Sequence, residues 1–159
     1  MNKDYRLVVG VDGSEGGERA LRWAVHEAAR RGGTVQAVTA FTYDGVDASN
    51  LTYRRRQHEL TEQMLGKQVV TALADNPRVA VTTRVVFGEA TEVLLDSAHN
   101  ADLLVLGSHG HSRLHHAVLG SVAEACVRGG SCPVVVVPVP AAVKQAAAAQ
   151  STGMPAGIL

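Results

Sequence analysis

The 159-residue chain has little cysteine, no excess of charge of either sign and no long apolar run. Its two cysteines, Cys126 and Cys132, are too few and too closely spaced to staple a fold of this size. A chain of this length can bury a sufficient core without disulfides. Fifteen basic residues offset fifteen acidic ones, so no net field would hold the protein on a nucleic-acid backbone or an anionic membrane. Any anion must be held locally. Apolar stretches such as "DLLVLG" and "PVVVVP" fall far short of the roughly 20 residues that span a bilayer. No secretory n-region and h-region precedes Tyr5, and no internal repeat is visible. These absences predict a soluble, cytoplasmic protein with reduced thiols and no nucleic-acid or membrane partner.

Alternation is what the chain does have. "YRLVVGVDGS" is a β-rich run closed by a turn at Asp12-Gly13-Ser14. From Glu15 to Arg31 the residues Ala20, Leu21, Ala24, Val25, Ala28 and Ala29 recur at helical spacing, and Gly32-Gly33 supplies the stop. Thr34 to Phe41 reads as a second strand. A second helix is expected from about Tyr53 with the stripe Leu60, Met64, Leu65, Val69 and Leu73, ending at Asp75-Asn76-Pro77. Val79 to Phe87 makes a third strand, Ala90 to His99 a short third helix and "ADLLVL" a fourth strand, apolar throughout as when both faces are covered. A fourth helix is expected from about Leu119 to Arg128, then a last strand from Val134 to Val137. The pattern predicts a doubly wound α/β domain over residues 1–140 with a five-stranded parallel sheet and helices on both faces. Residues 141–159 are low in complexity and are expected to form a mobile tail, with a helical turn over Ala141 to Ala149 left open.

The segment "GSHGHSRLHHAVLGS", residues 107–121, holds three glycines, three serines and four histidines. In open parallel sheets ligands sit beyond the carboxyl ends of the strands where the winding reverses. If the first and fourth strands are neighbours, "VDGS" and this segment share one crevice. Glycine at 107 and 110 would allow positive φ and a close backbone approach to an anion. Gly120-Ser121 would open the fourth helix, where free N–H groups favour negative charge. The spacing G-x2-G-x9-G-S thus offers phosphate two sets of donors, with Ser112, Arg113 and Ser121 adding side chains.

This spacing, with Asp12 after the first strand, resembles the ATP-binding branch of the universal stress protein family. The pieces "VVGVDGS", "VVFGEATEVLL", "DLLVLGSHG" and "LGSVAEACVRGGSCPVVVVP" carry the resemblance, in that order, over residues 5–138. It implies an adenine nucleotide alpha-hydrolase-like fold with strand order 3-2-1-4-5. It further implies ATP with Mg2+ as the ligand, Asp12 near the nucleoside, and main-chain groups near Ala40 on adenine. Val86 would line the adenine pocket, and Gly107, Gly110, Gly120 and Ser121 would surround ribose and phosphates. Gly10 and Val11 before Asp12, Ser14 beside it and Val122 after Ser121 complete the expected binding set. His111 stands where relatives often carry Arg or Lys. Histidine changes charge near neutral pH, so weaker phosphate affinity or a stronger dependence on pH is expected here, unless Arg113 compensates.

Other readings of the same residues stay open. Asp12 could merely cap the first helix or its turn. His109, His111, His115 and His116 invite zinc, yet neither cysteine has a C-x2-C partner. A serine hydrolase would need a G-x-S-x-G elbow, which is absent. His26, His58 and His99 read as helix-surface residues, and the two thiols as packed rather than redox-active. The expected function is an ATP-binding, stress-response regulator that works as a homodimer through the last strand. The alternatives are a slow ATPase or adenylyl hydrolase, and a cyclic AMP binder. A phosphate cradle with bound magnesium already stabilises part of the charge that develops in hydrolysis.

Overall fold

The structure, a computed structural model, describes residues 4–43, 49–111 and 119–140. The tail expected at 141–159 lies outside them, as do Ser112, Arg113, His115 and His116. In chain order the elements are β1 (Arg6–Gly10), α1 (Glu15–Arg31), β2 (Thr34–Phe41), α2 (Leu51–Ala72), β3 (Ala80–Phe87), α3 (Ala90–Ser97), β4 (Leu103–Gly107), α4 (Ser121–Gly129) and β5 (Val134–Val137). The five strands form one parallel sheet in the order β3-β2-β1-β4-β5. Central β1 pairs with β2 through Leu7 and Val35 and with β4 through Leu7 and Leu103.

Local chemistry accounts for the helix ends. The Ser14 side chain accepts from Gly17 N–H to cap α1, and Gly32, left-handed at φ 65°, ends it with its N–H on Ala28 O. Asn50 accepts from the N–H groups of Thr52 and Tyr53, which starts α2 at Leu51 rather than at Tyr53. At α4 the extended Gly120 is the N-cap, so the helix begins at Ser121 and not at Leu119.

Each face of the sheet carries its own core. Leu7, Val9, Val35 and Leu103 pack under α1 and α2, against Leu21, Val25 and Leu65. Val8, Val38, Leu104 and Leu106 pack on the other face, against Leu94, Ala123 and Cys126 of α3 and α4. Alternate residues of one strand thereby feed opposite layers, which requires the continuous apolar runs seen in β1 and β4. The α2 stripe is shorter than its sequence pattern. Leu65, Val69 and Ala72 are buried, whereas Leu60 is 41% exposed. Only the carboxyl-terminal half of α2 lies over the sheet's core, so helical periodicity continues beyond the surface that buries it.

Candidate functional site

Placing β1 beside β4 puts the turn after β1 and the loop after β4 at one end of the sheet. Between them lies a crevice of about 270 Å³. Gly10, Val11 and Asp12 enter it from β1, Ala40 from β2, and Gly107, Gly110 and His111 from the β4 loop. Gly120, Ser121 and Val122 enter it from the start of α4. Val38, Leu94 and Leu106 form an apolar wall continuous with the core under α3 and α4. The loop is closed at its base by Gly120 N–H, which donates to Ser108 O at 2.7 Å. The first N–H groups of α4 have no intrahelical acceptor and Gly120 offers no side-chain cap, and Gly120 to Ala123 line the crevice.

Asp12 has a divided role. Its Oδ1 accepts from Ser14 N–H at 3.0 Å and from the Ser14 hydroxyl, holding the serine that caps α1. Its Oδ2 lies against Gly110, where a Cβ would overlap it. One carboxylate oxygen therefore builds the turn, and the other stands between the turn and the β4 loop. Ser14 is taken up by this cap and is not part of the crevice lining. Val86 is not either; it lies beside Ala40 in the sheet and packs against the α3/α4 core.

The glycines of the loop do not adopt the positive φ expected of them. Positive φ among the described residues occurs at Gly13, Gly32 and Gly88, not at Gly107 or Gly110. A Cβ on Gly107 would come within 2.7 Å of the backbone of Gly16, and one on Gly16 would run into His109 O. Close approach of the β4 loop to the first turn of α1 is the requirement, and two bare backbones meet it. Gly17, which also lines the crevice, faces the other way, where a Cβ would crowd Asp12 Oδ1 and the backbone of the turn after β1. The sequence signal was the pair Gly16-Gly17 inside a helix, a costly choice that needs a packing reason. Ser108 was not singled out, and His109 only as a candidate zinc ligand, yet both line the crevice, with Ser108 Oγ 3.2 Å from His109 Nδ1.

His111 bridges the two sides. Its Nε2 donates to the main-chain oxygen of Asp12 at 2.6 Å. No group of three or more His, Cys, Asp or Glu side chains converges as a metal site among the described residues. A larger groove, about 520 Å³, lies at the opposite end of the sheet, where Gly32-Gly33 and Asp75 to Ala80 precede β2 and β3. It sits at the amino ends of the strands and lacks the convergence of turn, loop and helix start found at the carboxyl ends.

Comparison with known proteins agrees with this geometry. The universal stress protein Rv1996 of Mycobacterium tuberculosis is 34% identical over 139 residues, covering 84% of this chain and 44% of its own length. The chain thus spans about half the length of the curated relatives it matches. Universal stress protein UspA from Lactobacillus plantarum superposes with a TM-score of 0.73 at 23% identity, covering 86% of this chain and 99% of that one. A universal stress protein solved in complex with cAMP does so with a TM-score of 0.63 at 25% identity, covering 84% and 96%. The model of the universal stress protein family matches residues 5–138, from the start of β1 through β5. With the sheet order, the crevice and this match in agreement, the chain belongs to the universal stress protein family.

Proposed function

We propose that the protein is a nucleotide-binding regulator that takes ATP, with Mg2+, in the crevice between β1 and β4 and acts as a homodimer in a stress response. One observation carries the reading: a carboxylate, an apolar wall and the open start of a helix line the same crevice at the sheet's switch point. The base lies against Val38, Ala40 and Leu106, the ribose at Asp12, and the phosphates at the β4 loop and the first N–H groups of α4. Gly10, Val11, Ser121 and Val122 supply backbone around them, with Ser112 and Arg113 as further donors. Mg2+ would be held by the nucleotide's phosphates and would neutralise part of their charge. The domain ends near residue 140, just past the family match at 138.

A second reading, cyclic AMP in the same crevice, is favoured by the relative solved with that ligand. Mass spectrometry of the nucleotide released from freshly purified, denatured protein separates the readings. Intact ATP supports the proposal, accumulated ADP or AMP marks an enzyme, and cyclic AMP marks the second reading. Calorimetry with Asp12→Asn completes the test. That variant keeps the Oδ1 acceptor for Ser14 but loses the charge, and the loss of a charge-assisted hydrogen bond, about 1.5–3 kcal/mol, weakens binding roughly ten- to hundredfold. Unchanged ATP affinity in the variant, or no adenine nucleotide bound at all, sinks the reading.

A further inference from the structure

The chain holds only six aromatic residues, and four of them, Phe41, Tyr43, Tyr53 and Phe87, gather at the tips of β2 and β3 and the first turn of α2. Phe41 meets Tyr43 and Phe87 edge-on, with ring centroids 5.3 and 5.8 Å away, and Tyr43 stacks on Phe87 at 4.8 Å. His58 of α2 closes the cluster against Phe41 at 5.7 Å. The four rings belong to neither of the two cores. Phe87 is left 56% exposed.

Three consecutive arginines, Arg54 to Arg56, stand exposed on the first turns of α2, which also carries Tyr53 of the cluster. The Arg54 guanidinium lies 5.0 Å from the Tyr43 ring centroid. Arg55 has only Glu59, at 3.5 Å on the same exposed helix face, and Arg54 and Arg56 have no ion-pair partner among the described residues. Leu51, three and four residues before Arg54 and Arg55 and therefore on their helix face, is 76% exposed. Exposed aromatic and aliphatic anchors bordered by arginine are the composition of a protein-binding patch, in which buried rings and guanidinium groups carry most of the energy.

We propose that the tips of β2 and β3 with the first turns of α2 form a docking surface for an acidic segment of a partner protein that carries an apolar anchor. The anchor covers Phe87 and Leu51, and the acids pair with Arg55 and Arg56. Charge complementarity selects an anionic partner. The rings select a protein over a single nucleic-acid strand. Tyr43 has Phe87 stacked on it and the Arg54 guanidinium over its ring, so little aromatic face remains for successive bases to stack on. The chain also has no net positive charge to follow a polyanion.

The test uses the whole chain. A random peptide library is selected on the parent alone, and the peptides obtained are then measured on the double variant Arg55→Glu, Arg56→Glu, which leaves the ring cluster and the Arg54–Tyr43 contact in place. Selected peptides should combine acidic residues with an aromatic or leucine anchor. Their affinity should fall about tenfold or more in the double variant and in Phe87→Ser, and should weaken with salt. ATP affinity should be the same in parent and variants, which separates failure here from failure of the nucleotide reading. Peptides without acidic bias, or binding unaffected by the double variant, overturn the proposal. So does an oligothymidylate strand that binds the parent more tightly than the selected peptides and loses affinity in the double variant.

Discussion

At the scale of single residues, the two loop glycines separate stability from binding. Gly107 faces the Gly16 backbone, which cannot yield as a flexible side chain would. Gly107→Ala is therefore expected to lower unfolding free energy by about 1–3 kcal/mol, read as a lower urea midpoint at unchanged slope. Gly110 faces a side chain, the Asp12 carboxylate. Gly110→Ala should displace that carboxylate and weaken ATP binding in calorimetry while leaving the urea midpoint nearer the parent's. If the two variants have the same profile, the contact assignments are wrong. His111 poses a separate question, because its Nε2–H is committed to Asp12 O. His111→Arg, which brings a permanent charge and more donors, should tighten ATP binding in calorimetry, and His111→Gln should not. Equal affinity in all three proteins would leave the ring as a clasp between turn and loop with no part in anion binding.

Among the elements, α2 and β5 are the informative ones. Leu65 of α2 is fully buried and Leu60, just over one turn earlier, is 41% exposed. Leu65→Ala should cost about 2–5 kcal/mol in denaturant unfolding, and Leu60→Ala about 0.5 or less. A comparable cost at both positions would mean that the whole length of α2 is covered in solution. At the other end of the sheet, β5 pairs with β4 on one side only, and all four of its valines are half-buried. An apolar edge with unpaired N–H and C=O groups invites a second strand, and a two-fold mate supplies one. Val135→Lys should convert a dimer into monomer or aggregate in light scattering. A variant that stays a clean dimer moves the interface away from β5.

For the molecule as a whole, the two thiols link the core to pH. Burial pushes both the Cys126 and the Cys132 thiol above their ordinary value near 9.0. Below that value the thiols are protonated in folded and unfolded chains alike, and the shift has no effect. Above it, unfolded thiols ionise while the folded ones resist, so the unfolded state binds fewer protons and stability falls as pH rises. The urea midpoint should therefore drop between pH 8 and pH 10, and less steeply in Cys126→Ala, which removes the fully buried thiol. Equal slopes would assign the alkaline loss to other groups.

Much of this molecule was legible before folding, because its signals act between chain neighbours. Ser14 capping Gly17 and Gly32 closing on Ala28 are contacts within a few residues, and they bound α1 at the residues its periodicity predicted. Apolar runs between turns likewise placed β2 and β5, and a glycine-bearing turn after β1 and another after β4 marked where a ligand would sit. Distance along the chain hid the rest. Why residues 16, 107 and 110 must be glycine, and where His111 directs its proton, depend on β1 lying beside β4, which joins segments about 90 residues apart in sequence. The four rings at the tips of β2 and β3 come together only because parallel pairing aligns Phe41 with Phe87. Hydrogen bonding and steric exclusion between remote backbones act only once the sheet order is set, and no local pattern of residue types encodes them.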